Sequence, residues 1–127
     1  MENLRVTIFS ASMILMVIII LILWKMNDLL ESPGTYEGAL AYGFEGRGFV
    51  PCKYPEEVWW VTEVDNDTAM NIHYSTTSDH SMPAYAVVEV EVSARGSHGH
   101  MGMYDRKAKI IKVQSISTTF PEGCSKT

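Results

Sequence analysis

The sequence predicts a mainly β protein: a small five-stranded OB-like β-barrel with one short helix, preceded by a single N-terminal transmembrane helix. Three observations lead to this fold class. A long uncharged apolar run lies near the N-terminus, several segments rich in aromatic and β-branched residues follow it, and one of these segments alternates apolar and polar residues. The 127 residues leave room for one small domain beside the apolar run.

The apolar run covers residues 6–24 without a charged residue and lies between Arg5 and Lys25. At about 1.5 Å per residue, a helix of this length reaches the thickness of a bilayer hydrocarbon core. A cleaved signal peptide would have a shorter apolar region ending in small residues, whereas this run ends in Leu23 and Trp24. We therefore expect an uncleaved anchor that contacts the membrane through residues 6–24.

The basic residues beside the run predict its orientation. Arg5 and the terminal amine precede the run, whereas Lys25 follows it together with Asp28 and Glu31. The more basic side of a span usually stays in the cytoplasm. We expect a cytoplasmic N-terminus and an external domain, which in a bacterium means a single pass through the inner membrane and a periplasmic domain.

Composition divides the chain into four parts. Residues 1–25 are the expected anchor, and residues 26–34 form a polar tether that ends in a Pro-Gly pair, which breaks helices. Residues 35–120 are the expected barrel domain, and residues 121–127 form a turn-rich, flexible tail.

The barrel segment contains several predicted strands. Residues 36–42 and 58–64 are rich in aromatic and branched side chains and are bounded by turn residues. Residues 84–94 alternate small apolar residues with glutamates, which puts one face in the core and the other in water. The order of predicted elements is three strands, a helix and two strands, as in a small OB barrel.

The last predicted strand covers residues 107–118, and its alternation slips at Ile110 and Ile111. Two adjacent apolar residues at this point indicate a β-bulge or a residue buried on both sides. The short helix is predicted before the fourth strand, where it carries Met70 and Ile72.

The charge balance argues against nucleic acid as a partner. Leaving out Arg5, Lys25 and Glu2, the chain has eight basic and fourteen acidic residues. Nucleic-acid-binding surfaces usually have a clustered basic footprint. The basic stretch at residues 106–112 is better explained by lysines that protect a strand edge from pairing.

The barrel segment also carries the pattern GFE…F-x-P-C…WWV…GHxGxYxR. This pattern resembles that of a family of small bacterial envelope proteins with an OB-like barrel, often preceded by a lipoprotein signal or an anchor. The resemblance implies the fold but no particular activity. It also implies that Glu45 and Arg106 form a structural charge pair. The residues that carry the resemblance are Gly43, Phe44, Glu45, Phe49, Pro51, Cys52, Trp59, Trp60, Gly99, His100, Gly102, Tyr104 and Arg106.

The predicted function is that of a binding or interaction module of unknown ligand, without apparent catalytic activity and with another envelope protein as a candidate partner. OB barrels generally bind on the face of strands two and three and on the adjoining loops. Adjacent tryptophans in a strand point to opposite faces, so that one fills the core and the other is available outside. The candidate binding residues are Tyr54, Trp59, Trp60, His100 and Tyr104.

The stretch SHGHMGMYDR, residues 97–106, gives an alternative function. Imidazole and thioether groups suit Cu(I) or Ag(I), so His98, His100, Met101 and Met103 form a candidate soft-metal site. At the level of the fold, the chain also resembles periplasmic copper chaperones built on an OB barrel. A second alternative is a small envelope enzyme, for which the sequence offers no catalytic residue with a recognisable arrangement.

The two cysteines, Cys52 and Cys124, leave two possibilities open. In an oxidising compartment they can form a disulfide bridge. Alternatively, Cys52 is a small buried apolar residue and Cys124 is a free thiol in the tail.

Overall fold

The structure is a computed structural model that describes residues 2–27, 30–43, 47–63, 68–79 and 81–124. The chain forms two compact units, Met1–Leu30 and Glu31–Thr127. The first contains a single helix, and the second contains the β-strands.

The first unit contains helix α1, which covers Glu2–Asn27. From Glu2 to Lys25 this helix is long and apolar enough to cross a membrane, by length and composition. Its described side chains are all exposed, so α1 is not the buried core helix of a soluble domain. A long helix that is apolar on all sides is typical of a membrane span.

The second unit is built from five strands and a helix. The strands are β1 (Gly34–Tyr42), β2 (Arg47–Pro51), β3 (Trp59–Glu63), β4 (Ala84–Val92) and β5 (Arg106–Ser117), and helix α2 (Thr68–Thr76) lies between β3 and β4. The strands close into a barrel in the order β1-β2-β3-β5-β4. β3 and β5 are parallel, and the other neighbours are antiparallel. This arrangement confirms the predicted OB-like fold class.

The alternation in β4 places one face of the strand in the core. Ala84, Ala86, Val88 and Val90 have no exposed surface, because successive side chains of a strand point to opposite faces. The other strands contribute larger side chains to the same core. They are Leu40, Phe49, Trp59, Val61, Ala108 and Ile110.

β1 and β2 approach each other closely at Gly38, which pairs with Pro51. A Cβ atom on Gly38 would lie 2.3 Å from the carbonyl oxygen of Val50 and 2.8 Å from the ring of Phe49. Both distances are shorter than a van der Waals contact, so this part of the barrel accepts only glycine.

The predicted slip in the last strand is confirmed as a β-bulge. Lys112 pairs with Glu89 and Ile110 pairs with Val90, so Ile111 is an extra residue in β5. Ile110 is 4% exposed and Ile111 is 37% exposed. A bulge bends its strand, which allows the long β5 to follow the barrel.

Helix α2 is held to the rest of the unit by His73, which is fully buried. Its Nε2 lies 3.0 Å from the carbonyl oxygen of Met82, and its ring packs edge-on against Tyr42 with centroids 5.2 Å apart. The helix therefore packs through an aromatic contact to β1 as well as a polar contact to the segment before β4.

Cys52 and Cys124 form a disulfide bridge, with Cα atoms 4.9 Å apart. Of the two possibilities left open by the sequence, the structure thus has the bridge. The two residues are separated by 72 positions. Closing a loop of this length stabilises a folded chain by about 4 kcal/mol in the chain-entropy model.

Candidate functional site

Beyond the barrel, the chain between β4 and β5 forms a two-stranded hairpin, residues 93–105, which we call the arm. His98 and Tyr104 form a β-bridge in which each backbone nitrogen lies 3.0 or 3.1 Å from the carbonyl oxygen of the other residue. The chain reverses in a 3₁₀ turn at His100–Gly102. The arm is therefore an ordered hairpin that continues the barrel strands.

The tip of the arm turns tightly because its backbone enters the left-handed region. Gly99 and Gly102 have φ of 66°, and Met101, between them, has φ of 56°. Glycine adopts this region without a steric cost, whereas other residues do so uncommonly. The spacing of the two glycines thus explains the turn, and it holds Met101 at the apex.

An aromatic pair forms the base of the arm. Trp60 of β3 and Tyr104 contact each other edge-to-face, with ring centroids 4.9 Å apart. Gly99 lies directly against the indole, since a Cβ atom there would be 2.4 Å from Cδ2 of Trp60. Gly48, the partner of Trp60 in β2, leaves space beside Tyr104. Two glycines therefore allow the arm to lie on the outer face of β2 and β3.

The tip exposes apolar side chains to water. Met101 is 82% exposed and Met103 is 75% exposed. Val58, the residue before β3, is 38% exposed, and its N–H donates to the Asp105 carboxylate at 2.8 Å. Residues 96–104 contain no Asp, Glu, Lys or Arg. The arm thus combines an uncharged apolar tip with an aromatic base.

A buried carboxylate connects the arm to the barrel. Glu57 is 3% exposed and accepts hydrogen bonds from three side chains. Trp59 Nε1 donates to Oε2 at 2.8 Å, and Arg106 Nε donates to Oε2 at 3.1 Å. Arg95 in the arm donates through Nη2 to Oε1 at 2.7 Å. One carboxylate therefore joins β3, β5 and the arm.

The donors determine the charge state of Glu57. Burial acts to raise the pKa of this carboxyl group, but the hydrogen bonds from Arg106, Trp59 and Arg95 outweigh burial and bring the pKa below its ordinary value of 4.5. Arg106 is itself 3% exposed, and its Nη1 donates to the carbonyl oxygen of Ser93 at 3.3 Å. The carboxylate is therefore ionised at neutral pH inside a closed network.

The two predicted binding tryptophans have different surroundings. Trp59 has no exposed surface and packs against Tyr36 and Phe49, with ring centroids 5.1 and 5.7 Å away. It is a core residue, so its inclusion in the binding surface was wrong. Trp60, the next residue, faces outward and is half-buried beneath the arm. The period of a strand explains this difference.

The other predicted binding residues do not form one cluster around the aromatic pair. His100 is exposed in the 3₁₀ turn at the tip, and Tyr104 is half-buried at the base. Tyr54 lies in the turn after β2, where its N–H donates to the carbonyl oxygen of Pro51 at 3.1 Å. The arm thus brings Tyr104 together with Trp60 and carries His100 at its tip, whereas Tyr54 belongs to a separate loop.

The partner of Arg106 was not identified from the sequence. Glu45, the expected partner, lies outside the described residues; within them, Arg106 pairs with Glu57. The sequence could have indicated that Glu57 points inward, because alternate residues of an extended chain share a face. Trp59 and Val61, two and four positions later, are core residues. Parity places the Glu57 side chain on the inward side, where a charge needs a partner.

The candidate metal ligands are divided between the two ends of the arm. His98 Nε2 lies 3.2 Å from the carbonyl oxygen of Ala94 and 3.4 Å from Ser93 Oγ, near the barrel. His100, Met101 and Met103 are exposed at the tip. The described residues contain no group of three or more His, Cys, Asp or Glu that could hold a metal ion. A soft-metal site that includes methionine stays a prediction.

No protein-family model, curated protein or solved structure matches this chain. The resemblance to envelope proteins therefore stays a prediction.

Replacing Glu57 by glutamine should lower the free energy of unfolding by about 3–5 kcal/mol, because it leaves the buried Arg106 without its counter-charge. Thermal unfolding of the detergent-solubilised chain at pH 7, followed by near-UV circular dichroism, measures the loss. Glu56→Gln is the matched control. Glu56 is exposed in the same loop, so its change should be within about 0.5 kcal/mol.

The difference in melting temperature between the wild type and Glu57→Gln should decrease as the pH falls. The folded pKa of Glu57 is lowered, so the stabilisation is complete above its ordinary value of 4.5 and is lost as the pH falls through the folded pKa. The two melting temperatures should therefore converge at acidic pH. A constant difference from pH 7 to acid would contradict this assignment.

Replacing Gly99 by alanine should displace the arm, because the new methyl group overlaps the indole of Trp60. We expect a loss of about 1–3 kcal/mol from the overlap, beyond the cost of a left-handed alanine. Gly123→Ala is the control, since Gly123 has φ of 85° with no atom within 4 Å of the added carbon. Equal losses of melting temperature in the two variants would show that Gly99 is needed only for its backbone angle.

Proposed function

We propose that this protein is a single-pass membrane protein whose OB-like barrel is a binding module outside the cytoplasm, with the arm and its aromatic base as the binding surface. In this proposal α1 spans the inner membrane of a bacterium, the N-terminus is cytoplasmic and the barrel is periplasmic. The protein then works by holding a contact surface close to the membrane.

The exposed tip of the arm is the observation that carries the proposal. Met101 and Met103 are exposed to 82% and 75%, although the core of the same unit is closely packed. Apolar side chains grouped on a surface typically mark a site of interaction. Methionine is frequent at such sites because its flexible thioether adapts to different partners.

The base of the arm supports the same proposal. Trp60 and Tyr104 are locked edge-to-face, and the buried Glu57 holds Arg95 and Arg106 on either side of the hairpin. A surface that is ordered before it binds loses less conformational entropy on binding. The arm therefore resembles a preorganised contact surface more than a flexible connection.

Two features support a location outside the cytoplasm. The bridge between Cys52 and Cys124 belongs to an oxidising compartment, such as the bacterial periplasm. Arg5 and the terminal amine on one side of the apolar run favour a cytoplasmic N-terminus. Both features point to the same side of the membrane for the barrel.

The anchor can be tested in a Gram-negative host. We expect the chain to stay in the membrane fraction after an alkaline carbonate wash, and its mass to include residues 6–24. Protease added to spheroplasts should degrade the barrel, whereas protease added to intact cells should not. A soluble mature chain that lacks residues 6–24 would contradict the anchor, and protection of the barrel in spheroplasts would contradict its orientation.

The binding surface can be tested by photo-crosslinking in the same cells. A benzophenone amino acid at position 103 should form a discrete adduct with a protein or with a phospholipid, which mass spectrometry detects after irradiation, because this side chain is exposed at the tip of the arm. The same amino acid at Ser115, an exposed position on β5, is the control and should form none. Equal adducts at both positions, or none at either, would contradict the arm as the contact surface.

A further inference from the structure

The chain enters the barrel at the end where the arm begins, before the arm folds onto the outer face of β3. Gly34, the first residue of β1, pairs with Val90 near the end of β4. The Val92 N–H donates to Ser32 Oγ at 2.9 Å, and the arm begins at the next residue, Ser93. The segment that comes from α1 and the arm therefore lie at the same end of the barrel.

The covalent chain limits how far this end can be from α1. Seven residue positions separate Lys25 from Ser32. A fully extended chain spans at most about 3.5 Å per residue, so these positions reach about 25 Å at most. If α1 spans a bilayer, the end of the barrel that carries the arm stays within this reach of the membrane surface.

The arm has the chemistry of a segment that enters the interfacial layer of a bilayer. Its tip has no charged residue between positions 96 and 104, and it exposes Met101 and Met103. Moving an exposed thioether side chain out of water is favourable. His100 and the glycine backbone of the tip suit the hydrated headgroup region, where polar groups remain in contact with water.

Basic side chains lie at the end of the barrel where the arm begins. The Arg95 side chain is 51% exposed in the arm, and Lys107 and Lys109 line a hollow beside Ser32 at the same end. Lys109 lies 3.9 Å from Glu91, so one acidic group is part of the same rim. Lys and Arg close to a membrane are attracted to anionic headgroups.

We propose that the tip of the arm, with Met101 and Met103, inserts into the interfacial layer of the membrane that holds α1. The inference rests on the proposed function, because it requires α1 to span that membrane. It names the partner of the binding surface as the phospholipid bilayer. A tethered group binds at a high effective concentration, so two methionines suffice for an attachment that a free domain would not make. A soluble partner receives no such advantage from the tether.

The inference can be tested on the full chain in vesicles of equal parts phosphatidylethanolamine and phosphatidylglycerol. Three proteins each carry one nitroxide, attached through an introduced keto amino acid at His100, at Ser115 or at Ile14. The accessibility of each nitroxide to oxygen and to a water-soluble nickel chelate measures its depth in the bilayer. We expect the label at position 100 to be in the interfacial layer, the label at position 115 to be in water, and the label at position 14 to be in the hydrocarbon.

The double variant Met101→Ser, Met103→Ser should move the label at position 100 into water. Met82→Ser, which changes a methionine that is 44% exposed before β4, is the matched control and should leave the label in place. The inference would be overturned if the label at position 100 were in water in the wild type. It would also be overturned if the double variant left the depth of this label unchanged. A label at position 14 that is in water would overturn the proposed anchor itself, so the two failures are distinguishable.

Discussion

The buried carboxylate of Glu57 is the interaction on which the rest of the structure depends. A carboxylate with 3% exposure is stable only when donors replace the water that it has lost, and the equally buried guanidinium of Arg106 has the same requirement. Each group therefore needs the other. Because Glu57 precedes β3 and Arg106 begins β5, their pairing holds together the two parallel strands at one end of the barrel.

The same carboxylate determines where the arm leaves the barrel. Arg95 reaches it from the arm, and Trp59 reaches it from the core. Two guanidinium groups around one carboxylate leave an excess of positive charge, which is tolerable because the Arg95 side chain is half exposed to water. The next residue, Trp60, points to the opposite side of β3 and lies beneath the arm. Core packing and the placement of the arm are thus coupled through one strand.

Polarity is distributed unevenly along the chain, and both proposals follow from this distribution. The charged residues lie mainly in the barrel unit, which is acidic, whereas the apolar run of α1 and residues 96–104 of the arm have no charge. In the described part of the chain, the apolar run of α1 and the side chains of Met101 and Met103 in the arm are exposed. Apolar surface that is not buried inside a protein is stabilised by contact with another partner or with lipid. In our two proposals, a single membrane satisfies this requirement for both segments.

The sequence by itself determined the features that depend on neighbouring residues. The length of the apolar run predicted a span, the alternation in β4 predicted its buried face, and the slip at Ile110 and Ile111 predicted the bulge. The two cysteines and the glycine-rich turn were also visible in the sequence. The sequence did not decide whether the cysteines are bridged or what the turn contacts. Local patterns suffice here because the geometry of a helix or a strand repeats over a few residues.

Only the tertiary structure decided which distant groups meet. Arg106 could pair with a carboxylate before or after β2, and the closure of the barrel brings it to Glu57, 49 positions away. Closure likewise buried Trp59 and joined Cys52 to Cys124, and it placed the start of β1 beside the arm. Such contacts depend on the register and packing of whole strands, which no short stretch of sequence contains.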